Sequence, residues 1–346
     1  MKAKLLKLKP NSRFHFGKPM IDSNTSLTDT DHFIHSDVLF SALVNNLSTI
    51  KSKKEVNQFI EGFESGAIKI SSGFYCIENE KATDKQEPYL FFVPRPVHTV
   101  NTVGIEEYDK IKQVKRVSFI DLALLDKPIT DWKVKANFAM DIASITKLGI
   151  SVDDLSLYQK DIATHVGIRN KSEEEEAKTG GPFKVSYISI SDLKEYGLLV
   201  HFYFLYEVLD KKYESDFEIA VELLTYNGIG GERSSGYGRI EAIETITSLP
   251  KRFKEQNSTT YQLSLSKVVP KDEDISLLKY YKHSIRGGRE TTMGTLKSVE
   301  MINEGAILQQ GVQGNIVDIS IEGNRSYLRN GKAFCIGLSN TLEDGE

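Results

Sequence analysis

Residues 227–240 read NGIGGERSSGYGRI and hold five glycines, two serines and two arginines. Before them, Phe217, Ala220 and Leu224 recur at helical spacing, and residues 238–244 after them have the pattern of a strand. Phosphate-binding loops of P-loop and Rossmann proteins run the other way, from a strand into a helix. The GxGxxG spacing is also incomplete. The segment, called the glycine loop below, is therefore predicted to cross from a helix to a strand and does not fit a mononucleotide site.

The composition of the glycine loop indicates a surface for a polyanion. Glycine lets another backbone approach closely, serine hydroxyls donate hydrogen bonds, and arginine guanidinium groups match phosphate oxygens. These are the groups that a bent single strand of RNA requires, whereas a plain helix end followed by a turn needs only one or two glycines. The predicted contacts in the loop are Gly230, Gly231, Arg233, Ser234, Ser235, Gly236 and Arg239.

The chain as a whole has the composition of a globular protein. It has 346 residues, 40% of them hydrophobic and 27% charged, which is enough for a large core and for two domains. The net charge of −4 disfavours a nucleic-acid partner on average, but acid concentrated in residues 171–181 leaves room for a basic groove elsewhere. Its start lacks the features of a signal peptide, no apolar run is long enough to span a bilayer, and a cytoplasmic location without membrane contact is expected. Cys76 and Cys335 stand far apart without a CxxC partner, so neither a disulfide framework nor a zinc site is predicted.

The hydrophobic patterns predict an α+β fold. The predicted elements are a strand at 4–9, helices from Ser36 and at 55–63, a strand at 67–76, a hairpin of 183–190 with 197–206, a helix capped at Ser215, and the strand after the glycine loop. This order fits a ferredoxin-like domain over residues 1–250, with an insertion with short helices at about 79–180. Further strands in 251–346 predict a second, smaller domain.

Several motifs resemble one protein family. Gly230-Gly-Glu-Arg-Ser-Ser-Gly-Tyr-Gly238 is similar to the glycine-rich signature of the RAMP superfamily of CRISPR-associated proteins. Residues 14–17 (FHFG), 35–43 (HSDVLFSAL) and 92–96 (FVPRP) resemble one branch of it, the fourth subunits of type III-A Csm complexes, and residues 285–289 (IRGGR) with 303–305 (NEG) also fit. The glycine-loop motif is specific to the superfamily, whereas the resemblance to the Csm branch rests on the combination of all these motifs.

The resemblance implies a function and partners. A subunit of this kind grips the 5′ repeat-derived tag of the CRISPR RNA (crRNA) and joins the large polymerase/nuclease subunit to the adjacent RAMP backbone subunit. It also implies a non-catalytic role without cofactor or metal, and a degenerate ferredoxin-like fold for the smaller domain. The runner-up is a metal-independent RAMP endoribonuclease that processes precursor crRNA.

His15 separates these two functions in the sequence. It follows the first predicted strand, where RNA-cutting relatives carry a catalytic histidine. For cleavage, the working pH would have to lie near the pKa of His15, and the ring would have to lie within hydrogen-bond reach of a 2′-hydroxyl. We favour RNA contact or packing over catalysis at this position.

Residues 28–37 gather acidic and histidine side chains at a spacing that could hold a metal. Ser36 and Asp37 are already explained as a helix start, where acidic side chains are favourable, so a nuclease metal site is the weaker reading. His35, at the same helix end, is predicted to face RNA.

Basic patches outside the glycine loop are the remaining candidates. Arg95, between two prolines, and Lys115 with Arg116 form a patch in the predicted insertion, which is also the candidate for a thumb-like hairpin that the resemblance implies. Arg286 and Arg289 repeat the combination of glycine and arginine in the smaller domain. The patch in the insertion is either an RNA contact or a solvated surface. The segment with Arg286 and Arg289 is either a second phosphate contact, which we favour, or a flexible surface loop.

Overall fold

The computed structural model describes residues 1–18, 27–82, 88–98, 108–166, 182–254, 260–290, 294–321 and 327–338. Its helices are α1 Ser36–Ser48, α2 Lys53–Glu64, α3 Tyr108–Arg116, α4 Ile142–Leu148, α5 Glu214–Glu222, α6 Leu224–Asn227 and α7 Lys251–Lys254. The strands of the N-terminal part (residues 1–250) are β1 Lys2–Lys7, β2 Arg13–Phe14, β3 Phe16–Gly17, β4 Thr30–Asp31, β5 Ile68–Ile70, β6 Phe74–Asn79, β7 Tyr89–Pro94, β8 Phe119–Asp121, β9 Lys133–Lys135, β10 Phe138–Met140, β11 Tyr158–Val166, β12 Pro182–Ile190, β13 Leu198–Val208 and β14 Ala242–Ile246. Those of the C-terminal part (residues 251–346) are β15 Tyr261–Ser264, β16 Leu278–Tyr280, β17 His283–Arg286, β18 Arg289–Glu290, β19 Gly294–Thr295, β20 Val299–Ile302, β21 Ile307–Gln309, β22 Gly314–Asp318, β23 Leu328–Lys332 and β24 Cys335–Gly337.

One large sheet organises the N-terminal part. Its strands lie in the order β14-β1-β13-β6-β7-β8-β10-β9, and β5 also pairs with β13. The first four are antiparallel, with Leu5 opposite both Tyr203 and Glu244. Helix α1 packs beside α5, and its Leu39, Phe40 and Leu43 are buried because these residues recur along one helix face. An α+β fold is therefore confirmed.

The predicted insertion extends this sheet. Strand β7 pairs with β6, β8 with β7, and β10 with β8, so much of the segment is strand where short helices were expected. The prolines of this segment made its strands hard to recognise in the sequence. Pro88 comes just before β7 and Pro94 is its last residue, and a strand tolerates proline at its ends.

The predicted hairpin of 183–190 with 197–206 is wrong. Strand β12 pairs with β11 and β2, whereas β13 lies between β1 and β6 in the large sheet. Both faces of β13 are buried, which requires a central strand, whereas the start of β12 is exposed on a long hairpin with β11.

The C-terminal part packs against the N-terminal part through a shared core. Leu263, Ile307 and Phe334 belong to the same apolar cluster as Leu5 and Phe40. Strand β15 lies between β21 and β24 in a small sheet, and further strands of the C-terminal part form two-stranded ladders. The boundary near residue 250 stays a prediction. No helix in the described part of the chain is long and apolar enough to cross a membrane.

Candidate nucleic-acid interface

The glycine loop is fastened to the first strands of the protein by its own backbone. Gly231 N–H donates to His15 O at 2.8 Å, and Gly238 N–H donates to Arg13 O at 2.7 Å. A Cβ on Gly230 would lie 2.6 Å from His15 O, and one on Gly238 only 2.2 Å from Ile229 O. These glycines therefore allow close approach within the protein. The N–H of Gly231 is therefore taken up by His15 O, but Gly231 is exposed and Gly230 is partly exposed, so their contact with RNA stays a prediction.

The tip of the glycine loop faces outward. Arg233–Ser235 form a single 3-10 turn that ends at Gly236 in the left-handed region (φ 86°), and a Cβ on Gly236 would meet nothing within 4 Å. Arg233, Ser234, Ser235, Gly236 and Arg239 are all exposed.

The two arginines of the tip are only lightly held. Arg233 Nη1 donates to Asn227 O at 3.1 Å, and Arg239 Nε lies 2.9 Å from Glu241 Oε1. The Arg239 side chain is 73% exposed, so this surface ion pair is weak and can exchange for a phosphate. The predicted tip residues are thus placed where a polyanion could reach them.

A series of aromatic rings adjoins the glycine loop. The ring of Phe183 stacks on His165 at 5.7 Å, His165 approaches Tyr237 at 6.1 Å, and Tyr237 approaches Tyr187 at 5.5 Å. The guanidinium of Arg13 lies 5.0 Å from the centre of the Tyr187 ring. We call these four aromatic residues the ring series. Sequence reasoning missed them because three belong to the β11–β12 hairpin, which was not predicted.

His15 is placed inside the protein. Its side chain is 4% exposed, and Nδ1 lies 2.7 Å from Ser186 O. A Cβ on Gly231 would lie 2.9 Å from the His15 ring, which shows how closely the glycine loop covers it. The structure therefore replaces the expected RNA contact of His15 with a packing role.

A cavity of about 450 Å³ lies where the N- and C-terminal parts meet. We call it the junction cavity. Several site residues predicted in separate segments of the sequence line this cavity: His35, Arg95, Lys115, Arg116 and Arg286.

His35 lies in this wall as part of a buried ionic network. Its Nε2 is 3.0 Å from Asp31 Oδ2, and its Nδ1 is 2.9 Å from Glu304 Oε1. Burial would lower the pKa of His35, and Lys267 acts in the same direction, but Glu304 and the hydrogen bonds to both carboxylates raise it above its ordinary value. Burial would also raise the pKa of Asp31, but His35, Arg286 and Lys18 bring it down to about 2. Both ring nitrogens are occupied, so His35 is corrected from an RNA contact to a link between the two parts.

Arg286 extends the same network. It is 5% exposed, its Nε donates to Asp37 Oδ2 at 3.2 Å, and its Nη1 lies 3.3 Å from Asp31 Oδ2. Arg329 Nη1 donates to the same Asp37 oxygen at 3.1 Å. Because carboxylates hold it, Arg286 is corrected from a phosphate contact to a structural cation.

The remaining basic candidates differ in burial and in the contacts that hold their side chains. Arg95 donates to Val117 O and Pro96 O, both at 2.9 Å, and is partly buried. Lys115 and Arg116 are exposed at the end of α3. The backbone of Arg289 forms β18, but its side chain lies outside what the structure describes.

The acidic side chains of residues 28–37 are paired with cations. Asp29 contacts Lys18 and Lys160, Asp31 contacts His35 and Arg286, and Asp37 contacts two arginines. Within the described ranges, no three His, Cys, Asp or Glu side chains converge as a metal-binding group.

Stability should fall as pH rises through the pKa of His35. The folded-state pKa lies above the ordinary 6.5, so this contribution is present below about pH 6.5 and is lost above the raised value. Denaturant unfolding across neutral and mildly alkaline pH should show the decrease, and His35→Gln should abolish it. His283→Gln is the control, because the His283 side chain is 59% exposed beside Glu300. An unchanged pH profile in His35→Gln would contradict the assignment.

Comparisons with known proteins find similarity to Csm4 proteins. Residues 257–338 match the model of the CRISPR Csm4 C-terminal domain. The chain is 28% identical over 364 residues to the CRISPR system protein Csm4 of Methanocaldococcus jannaschii, covering 92% of this chain and 89% of that one. Among solved structures, the Csm3-Csm4 subcomplex of the type III-A interference complex contains a similar chain (TM-score 0.68, 23% identity, 98% and 99% coverage). So does a Csm1-Csm4 cassette in complex with cA4 (TM-score 0.57, 16% identity, 99% of each chain). At these identities the two structures establish a shared fold.

Proposed function

We propose that this chain, a Csm4-type RAMP subunit by its matched C-terminal domain and its similarity to Csm4 along most of its length, grips the 5′ repeat-derived tag of crRNA in a type III-A Csm effector complex. It binds this RNA without cutting it and serves antiviral defence as a scaffold. The observation that carries the proposal is the exposed Arg233–Gly236 turn beside Arg13 and the ring series.

The strand order of the large sheet supports a ferredoxin-like RAMP unit. Numbered by chain position, β1, β6, β13 and β14 are its first to fourth strands and lie in the order 4-1-3-2. Helix α1 follows the first strand and α5 precedes the fourth, which gives the βαββαβ sequence. The glycine loop then occupies the crossing from the last helix to the last strand. We include the C-terminal part as a smaller, degenerate unit of the same kind.

The chemistry of this surface suits single-stranded RNA. Arg233 and Arg239 supply positive charge for phosphates, and Ser234 and Ser235 supply hydroxyls that can hydrogen-bond to a 2′-hydroxyl. Within the ring series, Phe183 is 37% exposed and His165 is half-buried, so these two rings offer faces on which unpaired bases can stack, whereas Tyr187 and Tyr237 are buried. Such stacking needs no particular base. The surface therefore combines backbone contacts with stacking.

The protein partners in this proposal are the large polymerase/nuclease subunit and the adjacent RAMP backbone subunit. Similar solved chains occur in assemblies with Csm1 and with Csm3, which supports such neighbours for this chain. Co-purification of both subunits and crRNA with a tagged copy from the native cell is the expected result.

The runner-up, a metal-independent endoribonuclease, depends on His15. The buried position of His15 and its contact with Ser186 O keep it from a 2′-hydroxyl in this structure. Incubation with labelled repeat RNA in chelator should yield no 2′,3′-cyclic phosphate product. Appearance of that product, and its loss in His15→Ala, would replace the binding role with a catalytic one.

Removing the two arginines of the loop tip should weaken RNA binding. Arg233→Ala with Arg239→Ala is expected to lower affinity for repeat RNA about tenfold or more and to reduce the slope of log affinity against log salt by about 1.4, or about 0.7 for each lost phosphate contact. Fluorescence anisotropy across a salt series measures both quantities.

The matched control is Lys53→Ala with Lys54→Ala, which removes two exposed charges from α2. It changes net charge equally, so a general electrostatic effect would weaken both variants alike. Equal affinities and slopes for the two variants would count against the glycine loop as the RNA surface.

A further inference from the structure

We propose that the junction cavity binds a single unpaired nucleotide, with the base against its apolar wall and the phosphate at Lys115, Arg116 and Lys282. This inference rests on the proposed RNA-binding function and adds a second site to it, separate from the glycine loop. A strand of RNA or a free nucleotide could supply the ligand, and we assign it to the RNA strand.

The charges around the cavity leave positive potential uncompensated. Lys267 and Arg286 face Glu304, Asp31 and Asp37 within the buried network. Lys115, Arg116 and Lys282 also line the cavity and are exposed, and none of the three forms an ion pair among the described residues. Three such cations around one cavity, in a protein of net charge −4, favour an anionic ligand.

Part of the remaining wall is apolar and aromatic, and Ser118, Ser284 and Asn303 add polar groups to it. Phe33, Phe119, Val97 and Ile285 line it, and the Ile285 side chain is 61% exposed although it is large and hydrophobic. His32 adds a ring to the same wall; burial lowers its pKa to about 4, so the ring is neutral at physiological pH and presents no charge. An inorganic anion would leave the apolar wall without a contact, and an apolar ligand would leave the cations without a counter-charge. A nucleotide satisfies both.

The size of the cavity limits the ligand to one residue of a strand. A volume of about 450 Å³ lies in the range of sites that enclose one small molecule, roughly 300–1,000 Å³. Just beyond Val97, the ring of His98 stacks on Tyr280 at 4.0 Å, which extends the aromatic surface towards neighbouring nucleotides.

Hydrogen bonds between the two parts of the chain and within the N-terminal part hold the rim of the cavity in place. Val97 N–H donates to Gly305 O at 2.8 Å, and Arg95 Nε donates to Val117 O at 2.9 Å. Gly305 has φ 85°, and a Cβ there would lie 2.4 Å from Arg95 O. The rim is therefore formed before the ligand arrives, which lowers the entropic cost of binding.

The test combines RNA variants with protein variants. Repeat RNAs, each with one abasic position, are titrated against the full-length protein and against a double variant, Lys115→Ala with Arg116→Ala. In the wild type, one position should lose about tenfold in affinity when its base is removed, because base stacking is lost there. In the double variant the salt slope should fall by about 0.7, and removal of that base should cost less, since both changes disturb one site.

Two controls separate this inference from the proposed function. Lys53→Ala with Lys54→Ala should leave the abasic profile unchanged, and Ile285→Glu, at an exposed position, should reproduce the loss seen with the cation variant. A cation variant that behaves like the α2 control, together with a flat abasic profile, overturns the nucleotide site, while weakened binding by the loop-tip variant still supports the proposed function. A wild-type protein that binds no repeat RNA overturns both.

The source of the nucleotide is decided by competition. Nucleoside monophosphates are added to the RNA complex, and their direct binding is measured by calorimetry. Weak or undetectable binding is expected for the free nucleotides, because the strand is anchored elsewhere as well. Tight binding that Lys115→Ala with Arg116→Ala abolishes would overturn the assignment to the RNA strand and make the cavity a site for a free nucleotide.

Discussion

Gly238→Ala is expected to lower the free energy of unfolding by about 3 kcal/mol or more. Gly238 has φ 77°, where a residue with a Cβ is strained, and that Cβ would lie 2.2 Å from Ile229 O. The backbones of Gly238 and Ile229 cannot move apart freely, because Ile229 N–H donates to Gly238 O and Gly238 N–H donates to Arg13 O. The substitution must therefore push apart the two sides of the glycine loop at Ile229 and Gly238.

Gly236→Ala is the matched control within the same loop. Its φ of 86° imposes similar backbone strain, but nothing lies within 4 Å of the added Cβ, so a loss of only about 1 kcal/mol is expected. Urea unfolding can be followed by fluorescence of Trp132, the single tryptophan, which is buried. Equal losses for the two variants would contradict a role for close packing at Gly238.

The sequence predicts where the glycine loop lies along the chain but does not distinguish tightly packed glycines such as Gly238 from open ones such as Gly236. Its position between a helix and a strand follows from local patterns, and the order of α6, loop and β14 agrees. The partner of Gly230, His15 O, is more than two hundred residues away, and no local pattern reports such a contact. The glycines were therefore assigned to RNA, although most of them serve the protein.

The same limit applies to the charged residues. Ser36 was predicted as a helix cap, but its hydroxyl accepts from the Lys267 N–H of the C-terminal part, and α1 has no side-chain cap. Arg286 and Arg116 look alike in sequence, yet one is buried against carboxylates and the other is exposed. Residue type indicated basic chemistry, and only tertiary contacts separate the structural cations from the available ones.

Arg286 connects the stability of the junction to the wall of the junction cavity. Arg286 lines the cavity and pairs with Asp37, which lies in the first turn of α1 in the other part of the chain. Any change that releases Arg286 would add a mobile cation to the cavity wall. Loss of stability and a change in RNA affinity are thus expected together at this point.

Asp37→Ala is expected to cost about 3–5 kcal/mol, because it leaves Arg286 and Arg329 buried without their shared carboxylate. Burial would raise the pKa of Asp37, but the two arginines hold it below its ordinary value, so its contribution is present above about pH 4 and is lost as pH falls further. Asp37→Asn tests the charge alone, since it keeps the shape of the side chain. Asp153→Ala, which removes an 83% exposed carboxylate paired with Lys135, should have no measurable effect in the same urea titration. If Asp37→Ala and Asp153→Ala unfold at the same urea concentration, the two parts of the chain are not joined by this network.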